Sequence, residues 1–320
     1  MALLESVPNV SEGRDASVVA ALAAAFARAG ARVLDTHVDG DHNRAVITLV
    51  GDDREVEEGL VAGIEEAARH VDLRTHDGVH PRVGAADVVP VVPLAAADLG
   101  RAVDVALVVG ARVGDELGLP VFLYGEIGDG RRPAFFRRGG PDELQRRVDA
   151  GELEPAFGPR RLDPAAGAVL LGVRAPLVAF NLELRGTLDV ARDVAAAVRE
   201  SSGGLPGVQA LGLRLGAGRI QVSTNVVDLD ATPPHVMVER IVAEAAAHGA
   251  GVGEGELVGL LPARCVAAAA RAEGIENPLD DRGVPGRASL DVAARALRLR
   301  RLDVDRVVEW HLVERSPRRT

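Results

Sequence analysis

The sequence predicts an α+β protein made of two tandem β-α-β-β-α-β units, each in the ferredoxin-like arrangement. Three observations carry that prediction. Short β-rich runs and amphipathic helical runs follow one another in this order twice along the chain. Polar hairpin turns interrupt the strict strand–helix alternation that a doubly wound parallel sheet needs. Finally, 320 residues with a 47% apolar fraction are enough for two cores. Aromatic residues supply only 2% of the chain, so those cores must be built from Val, Leu and Ala.

Taken in order, Leu3 to Val10 reads as a short strand that ends in Pro8-Asn9-Val10-Ser11-Glu12-Gly13. A helix is expected from Asp15 to Ala29, with Val18, Val19, Leu22 and Phe26 on one face. Ala31 to His37 and Arg44 to Val50 are β-rich runs joined by the polar turn Val38 to Asn43. Glu55 to His70 has helical spacing at Val56, Leu60, Ile64 and Ala67, and the strand Val88 to Val92 closes the unit. Asp98 to Leu117 reads as a helix and Pro120 to Tyr124 as a strand. Residues 125–167 are rich in Gly, Pro and Arg, with a helix expected over Asp142 to Ala150. Such a length is typical of lids, binding loops or linkers. The second unit repeats the order: strand Leu177 to Leu184, helix Thr187 to Glu200 with Thr187 as N-cap, and hairpin Val208 to Leu215 and Arg219 to Val227. Helix Pro234 to His248, strand Glu256 to Leu261 and a helix from Ala263 follow. The boundaries that result are 1–176 and 177–320.

Composition excludes several classes. A net charge of −10 and the lack of a basic block argue against a nucleic-acid surface. All 37 basic residues are arginine, which lowers the weight of any single one. One cysteine, Cys265, excludes an intrachain disulfide framework, and its Ala-rich surroundings point to an inert buried thiol. The N-terminus Met1-Ala2-Leu3-Leu4-Glu5 lacks the basic and apolar regions of a secretory signal. No apolar run reaches the roughly 18 residues of a membrane span. The expectation is a soluble, cytoplasmic protein.

Chemistry concentrates in Thr75 to Asp87, where thirteen residues hold His76, His80, Asp77, Asp87 and Arg82. Imidazole both accepts and donates protons near neutrality. Gly78 and Gly84 permit sharp turns, and Pro81 restrains the chain after His80. The alternative is a solvated loop whose histidines only cap and turn. Nearby, His37, Asp39, Asp41 and His42 raise a metal-site reading, against which stands the absence of an H-E-x-x-H or C-x-x-C signature. No metal is therefore expected. Asn9 to Gly13, where a strand passes into a helix, reads as an anion site with free backbone N–H groups. Arg44, Arg82, Thr224 and Asn225 are candidate further donors, with Ser11 as a simple helix N-cap the plainer alternative. Phe157 to Ala168, with Gly and Pro at both ends, is either an extended loop against a flat ligand or a linker.

Several separate motifs resemble the formiminotransferase family from about residue 4 to about residue 312. They are Val7-Pro8-Asn9-Val10-Ser11-Glu12-Gly13, Asp41-His42-Asn43-Arg44 with Val50-Gly51, and His76-x-Gly78-x-His80-Pro81-Arg82-x-Gly84-Ala85-x-Asp87-Val88. Leu123 to Glu126, Phe157 to Pro159, Ala179 to Asn181, Gln221 to Asn225 and Leu257 to Pro262 follow in the family's order. The resemblance implies transfer of a formimino group from N-formimino-L-glutamate to tetrahydrofolate, giving 5-formiminotetrahydrofolate and glutamate, in histidine breakdown. It also implies a substrate cleft between two subdomains, and a homodimer. The family's catalytic histidine falls on His80. Its folate-binding stretch falls on Gly158, Pro159, Arg160, Arg161, Leu162, Asp163, Pro164, Ala165, Ala166 and Gly167. That stretch lacks the aromatic or histidine residues of the family's pattern, and Gly172-Val173-Arg174 stands where Gly-Ala-Arg is usual. Asn9, Asp39, Asp41, Asn43, Arg44, Arg82 and Asn225 are the candidate substrate contacts, Asp39 or Asp41 orienting the imidazole or steadying the amidine. The roles of His37, His42 and His76 stay open. No cyclodeaminase domain is expected in the chain, so a deaminase step would need a separate protein. The competing readings are a glutamate formyltransferase acting on 5-formyltetrahydrofolate, a metal-assisted N-formiminoglutamate hydrolase, and a folate-binding protein without catalysis.

Overall fold

In the computed structural model, which describes residues 3–313, the chain opens with an interrupted strand. Strand β1 (Leu4–Ser6) and strand β2 (Asn9–Val10) lie along the same two neighbours, and Val7-Pro8 separates them. Proline has no N–H for a ladder, but its carbonyl still accepts from Ile47 N at 3.0 Å. Residues 1–2 and 314–320, which the expected limits at 1 and 320 and the reading of the N-terminus include, lie outside the described residues.

The first unit, ending at Ala175, continues with α1 (Ala16–Phe26), β3 (Arg32–Asp39), β4 (Arg44–Gly51), α2 (Asp53–His70) and β5 (Ala86–Pro93). It is completed by α3 (Leu99–Glu116), β6 (Val121–Gly125), α4 (Pro133–Arg137), α5 (Gly140–Asp149) and β7 (Val169–Val173). Across its sheet the strands run β3-β4-β1/β2-β5-β7-β6, antiparallel from β3 to β5 and parallel from β5 to β6. The period of two assigns the faces. Ala45, Ile47, Leu49, Val89 and Val91 join Leu22, Phe26, Leu60, Ile64 and Val109 of α1, α2 and α3 in one core. Val88, Phe122, Tyr124 and Leu170 point the other way, into a second core closed by Phe136 of α4 and Leu144 and Val148 of α5. The parallel part is thus buried on both faces, as parallel sheets are.

The second unit, beginning at Pro176, holds β8 (Val178–Arg185), α6 (Leu188–Val198), β9 (Val208–Arg214), β10 (Ile220–Val226), α7 (Pro234–Ala247) and β11 (Gly251–Val258). Helices α8 (Ala263–Ala272), α9 (Arg287–Ala296) and α10 (Val308–Val313) follow. Its sheet has the order β11-β8-β10-β9, antiparallel throughout. Both units are mixed α+β.

Several elements differ from expectation for local reasons. Strand β7 (Val-Leu-Leu-Gly-Val) is too short, and too evenly apolar, to show alternation. In the Gly- and Pro-rich segment 125–167, α4 has only five residues, with its proline at the first turn, where the missing N–H costs nothing. Strand β11 starts at Gly251 rather than Glu256, because its glycines pair through backbone alone and the register shifts between Val252 and Gly255. Helix α9 was not expected at all. Ser11 is not an N-cap: Asp15 caps α1, accepting from Ser17 N at 2.8 Å and Val18 N at 3.2 Å. Thr187 does cap α6, through Val190 N.

Helix α2 meets α1 through Gly63, where a Cβ would stand 2.2 Å from the fully buried Phe26 ring. Helix propensity alone favours alanine there by about 1 kcal/mol. Overpacking reverses the sign at a cost of about 1–3 kcal/mol. Gly63→Ala is therefore expected to lower the urea midpoint. Gly100→Ala in α3, where a Cβ meets nothing within 4 Å, is expected to leave it unchanged or raise it.

Candidate functional site

The turn between β3 and β4 and the loop before β5 meet on the sheet face turned away from α1 and α2. Val10 and Ala45 face that helical core, so their neighbours Asn9, Arg44 and, across the ladder, Asp39 face the other side. In the turn, Asp39 Oδ1 accepts from Asp41 N and His42 N, both at 2.9 Å, and Asp39 Oδ2 lies 2.5 Å from Nδ1 of the buried His42. Burial alone would raise the Asp39 pKa. The hydrogen bonds from the His42 ring and from the two backbone amides outweigh it and hold the carboxyl well below the usual carboxylate range.

Asn43 is the joint between three segments. It sits at φ 48°, a left-handed conformation that asparagine tolerates better than most residues. Its Oδ1 accepts from Gly13 N at 3.0 Å and its Nδ2 donates to Asp77 O at 2.9 Å. Gly78 then passes so close to the turn that a Cβ would stand 2.4 Å from His42 O. Arg82 clamps the loop from within: one Nη lies 2.6 Å from His76 Nδ1, and the other donates to Gly78 O and His80 O, each at 2.7 Å. Those contacts make Arg82 a fastener of its own loop.

His80 faces Arg44. Arg44 Nη1 donates to His80 Nε2 at 2.9 Å and to Asn9 Oδ1 at 3.3 Å. A guanidinium does not give up its proton, so Nε2 must be the acceptor and the neutral ring carries its hydrogen on Nδ1. Burial first, then the charges of Arg44, Arg137 and neighbouring groups, push the His80 pKa far below its ordinary value. The His42 ring stands edge-on to it, with centroids 5.9 Å apart. His76 is also lowered, by burial and then by Arg82. His37 lies half-buried on β3 opposite Val46 of β4.

The stretch 158–167 is laced to the base of this loop. Leu73 N donates to Ala165 O and Ala85 N to Ala166 O, both at 2.8 Å, and Ala168 N donates to Val83 O at 2.9 Å. Gly84 and Gly167 stand where the strands cross: a Cβ on either would come within 1.9 Å of Ala168 O or 2.1 Å of Val83 O. Leu162, Ala166 and Gly167 are buried, Ala165 is half-buried, and Asp163 accepts from Ala165 N and Ala166 N at 2.8 and 2.7 Å. Arg160 pairs with Glu154 and donates to Val148 O. Gly158, Pro159, Arg160, Arg161, Asp163 and Pro164 are exposed.

Other expected residues are placed differently. The amides after Asn9 are not free for an anion: Ser11 N bonds Ala85 O, Gly13 N bonds Asn43, and Arg14 N and Asp15 N bond Glu12. Ser11 Oγ donates to Gly84 O at 2.8 Å, so this motif braces the His80 loop instead. Asn225 is exposed on β10 of the second unit, beside Ala179 and Gln209. Among the described residues no group of three or more His, Cys, Asp or Glu side chains is disposed to hold a metal ion, and no helix is long and apolar enough to cross a membrane. Asp87 lies in the stretch that the sequence singles out, but its partner Arg137 had no role there. In a chain with 37 basic residues, all arginine, nothing marks position 137.

The formiminotransferase domain, N-terminal subdomain, matches residues 3–174, and the formiminotransferase domain matches residues 179–273. A glutamate formimidoyltransferase of Streptococcus pyogenes serotype M1 is 35% identical over 272 residues, covering 82% of this chain and 90% of that protein. One of Thermoplasma acidophilum is 38% identical, covering 82% and 89%. The formimidoyltransferase-cyclodeaminase of Gallus gallus is 38% identical over 280 residues, and the match spans 52% of its length.

His80 makes stability depend on pH. Its folded pKa is lowered, so below the ordinary 6.5 the unfolded chain takes up a proton that the folded chain refuses. Urea midpoints are expected to fall between pH 7.5 and pH 5.5, this residue alone contributing up to about 1.4 kcal/mol per pH unit. His80→Gln removes this titration altogether and is expected to flatten that slope.

Proposed function

The chain belongs to the formiminotransferase family, and on that premise we propose that it transfers the formimino group of N-formimino-L-glutamate to tetrahydrofolate, with His80 carrying the proton. The products are 5-formiminotetrahydrofolate and L-glutamate, the reaction belonging to histidine degradation. The observation that supports this reading best is the neutral His80 ring, whose Nε2 lone pair is directed at Arg44, 2.9 Å away.

N5 of tetrahydrofolate attacks the amidine carbon and gives a tetrahedral intermediate. The attacking nitrogen must lose a proton, and the glutamate nitrogen must gain one before its bond to carbon breaks. A neutral imidazole accepts the first proton and returns it for the second, worth roughly 10²–10⁴ in rate. In the free protein Arg44 occupies the accepting nitrogen. A carboxylate of the substrate pairs with the guanidinium bidentately and draws it off. Nε2 is then free, and with the Arg44 charge balanced the ring becomes more basic as the substrate arrives. Asp39 holds His42 beside His80, and Asn43 and Arg82 keep the loop in place. Segment 158–167, with its exposed Arg160, Arg161 and Asp163, is the folate strap, and Asn225 is a further substrate contact.

The reading extends to fold and surroundings. The fourth-first-third-second strand order of the antiparallel part of the first sheet and of the whole second sheet supports two ferredoxin-like subdomains, 1–176 and 177–320. A cytoplasmic homodimer whose product passes to a separate cyclodeaminase completes it.

His80→Ala is expected to bind tetrahydrofolate with little change and to lose about 10²–10⁴-fold in kcat, followed as 5-formiminotetrahydrofolate formed from N-formimino-L-glutamate. Turnover within a few-fold of the unaltered protein would rule out the shuttle.

A further inference from the structure

The mechanism leaves one buried ion pair without a task. Asp87, 2% exposed at the start of β5, accepts from Val83 N through Oδ1 at 2.7 Å and from Arg137 Nη2 through Oδ2. Val83 lies in the last part of the His80 loop, three residues after the histidine and ahead of β5. Arg137 ends α4, and the preceding Phe136 is locked into the second core at 2% exposure. The pair therefore ties a helix of one layer to the root of the loop. Arg137 Nε is buried with no hydrogen-bond partner. A pair serving stability alone would be expected to satisfy its buried donors.

We propose that Asp87 and Arg137 form a positioning pair for His80: Asp87 fixes the foot of the loop through Val83, and Arg137 holds Asp87 from α4 and sets a cation behind that loop. The inference rests on His80 being the proton carrier. The groups around that ring are Arg44 from β4, Arg137 from α4, His42 from the β3–β4 turn with Asp39 behind it, and Arg82 from its own loop. Burial comes first among the influences lowering His80, Arg44 second and Arg137 third.

The two halves of the pair carry opposite charge, so removing them moves His80 in opposite directions. Arg137→Gln takes away a cation, and the acid limb of kcat, which reports the substrate complex, is expected to rise by about half to one pH unit. Asp87→Asn leaves the cation unbalanced and lowers the limb. Arg137→Lys, which keeps the charge and is the mildest change, leaves the limb in place while kcat falls about tenfold to a hundredfold through lost geometry. The His80 C2 proton is titrated by NMR in the same proteins with L-glutamate bound, so that a carboxylate balances Arg44, a readout that does not need turnover. A wild-type protein that makes no product overturns the functional reading, and the titration still judges the pair. Midpoints that stay fixed or move the same way in Arg137→Gln and Asp87→Asn overturn the pair's role. If either variant fails to fold, a wild-type kcat in Arg137→Lys overturns it as well.

Discussion

A guanidinium donating to an imidazole is the contact on which the rest of the site depends. Arg44 reaches His80 Nε2 only because β4 and the loop before β5 are held at one height above the sheet, and each bond nearby serves that height. Asn43 joins the strand–helix turn at Gly13 to the loop at Asp77, and Ser11 braces the same loop at Gly84. The close approaches at Gly78, Gly84 and Gly167 leave no room for a side chain. The loop is thus fixed from its two ends and from beneath, which suits a group that must meet a reacting nitrogen at hydrogen-bond distance.

The electrostatics has two sides. An imidazole among arginines is neutral and ready to accept a proton, yet a strongly lowered pKa makes a weak base. In the mechanism proposed above, a dianionic substrate is what resolves the conflict, its carboxylates cancelling the charges that suppress the ring. Asp39 shows the opposite case. Its hydrogen bonds from His42 and from two amides keep it a carboxylate, and it orients a second imidazole instead of exchanging protons itself.

Much of this was legible in the chain. The helices and hairpins of both units follow the spacing of Val, Leu, Ile and Ala, because each buries one face. The loop of His76 and His80 stood out for its glycines and proline, and the family resemblance singled out His80 within it. What was not legible depends on contacts distant in sequence. Strand β7 has no periodicity to reveal it, since its two faces meet different cores. Ser11 read as a local cap but pairs across 73 residues, and the bonds of Arg82 to Gly78 and His80 within its own loop left no mark in the sequence. The Asp87–Arg137 pair spans 50 residues and joins a recognisable motif to a segment with no pattern.

The tautomer of His80 tests the account most directly, read from the ¹⁵N shifts of its ring in the protein without substrate. The expected result is a neutral ring with hydrogen on Nδ1 and a bare, hydrogen-bonded Nε2 from pH 8 to below pH 6.5. Hydrogen on Nε2, or an imidazolium at neutral pH, would contradict it.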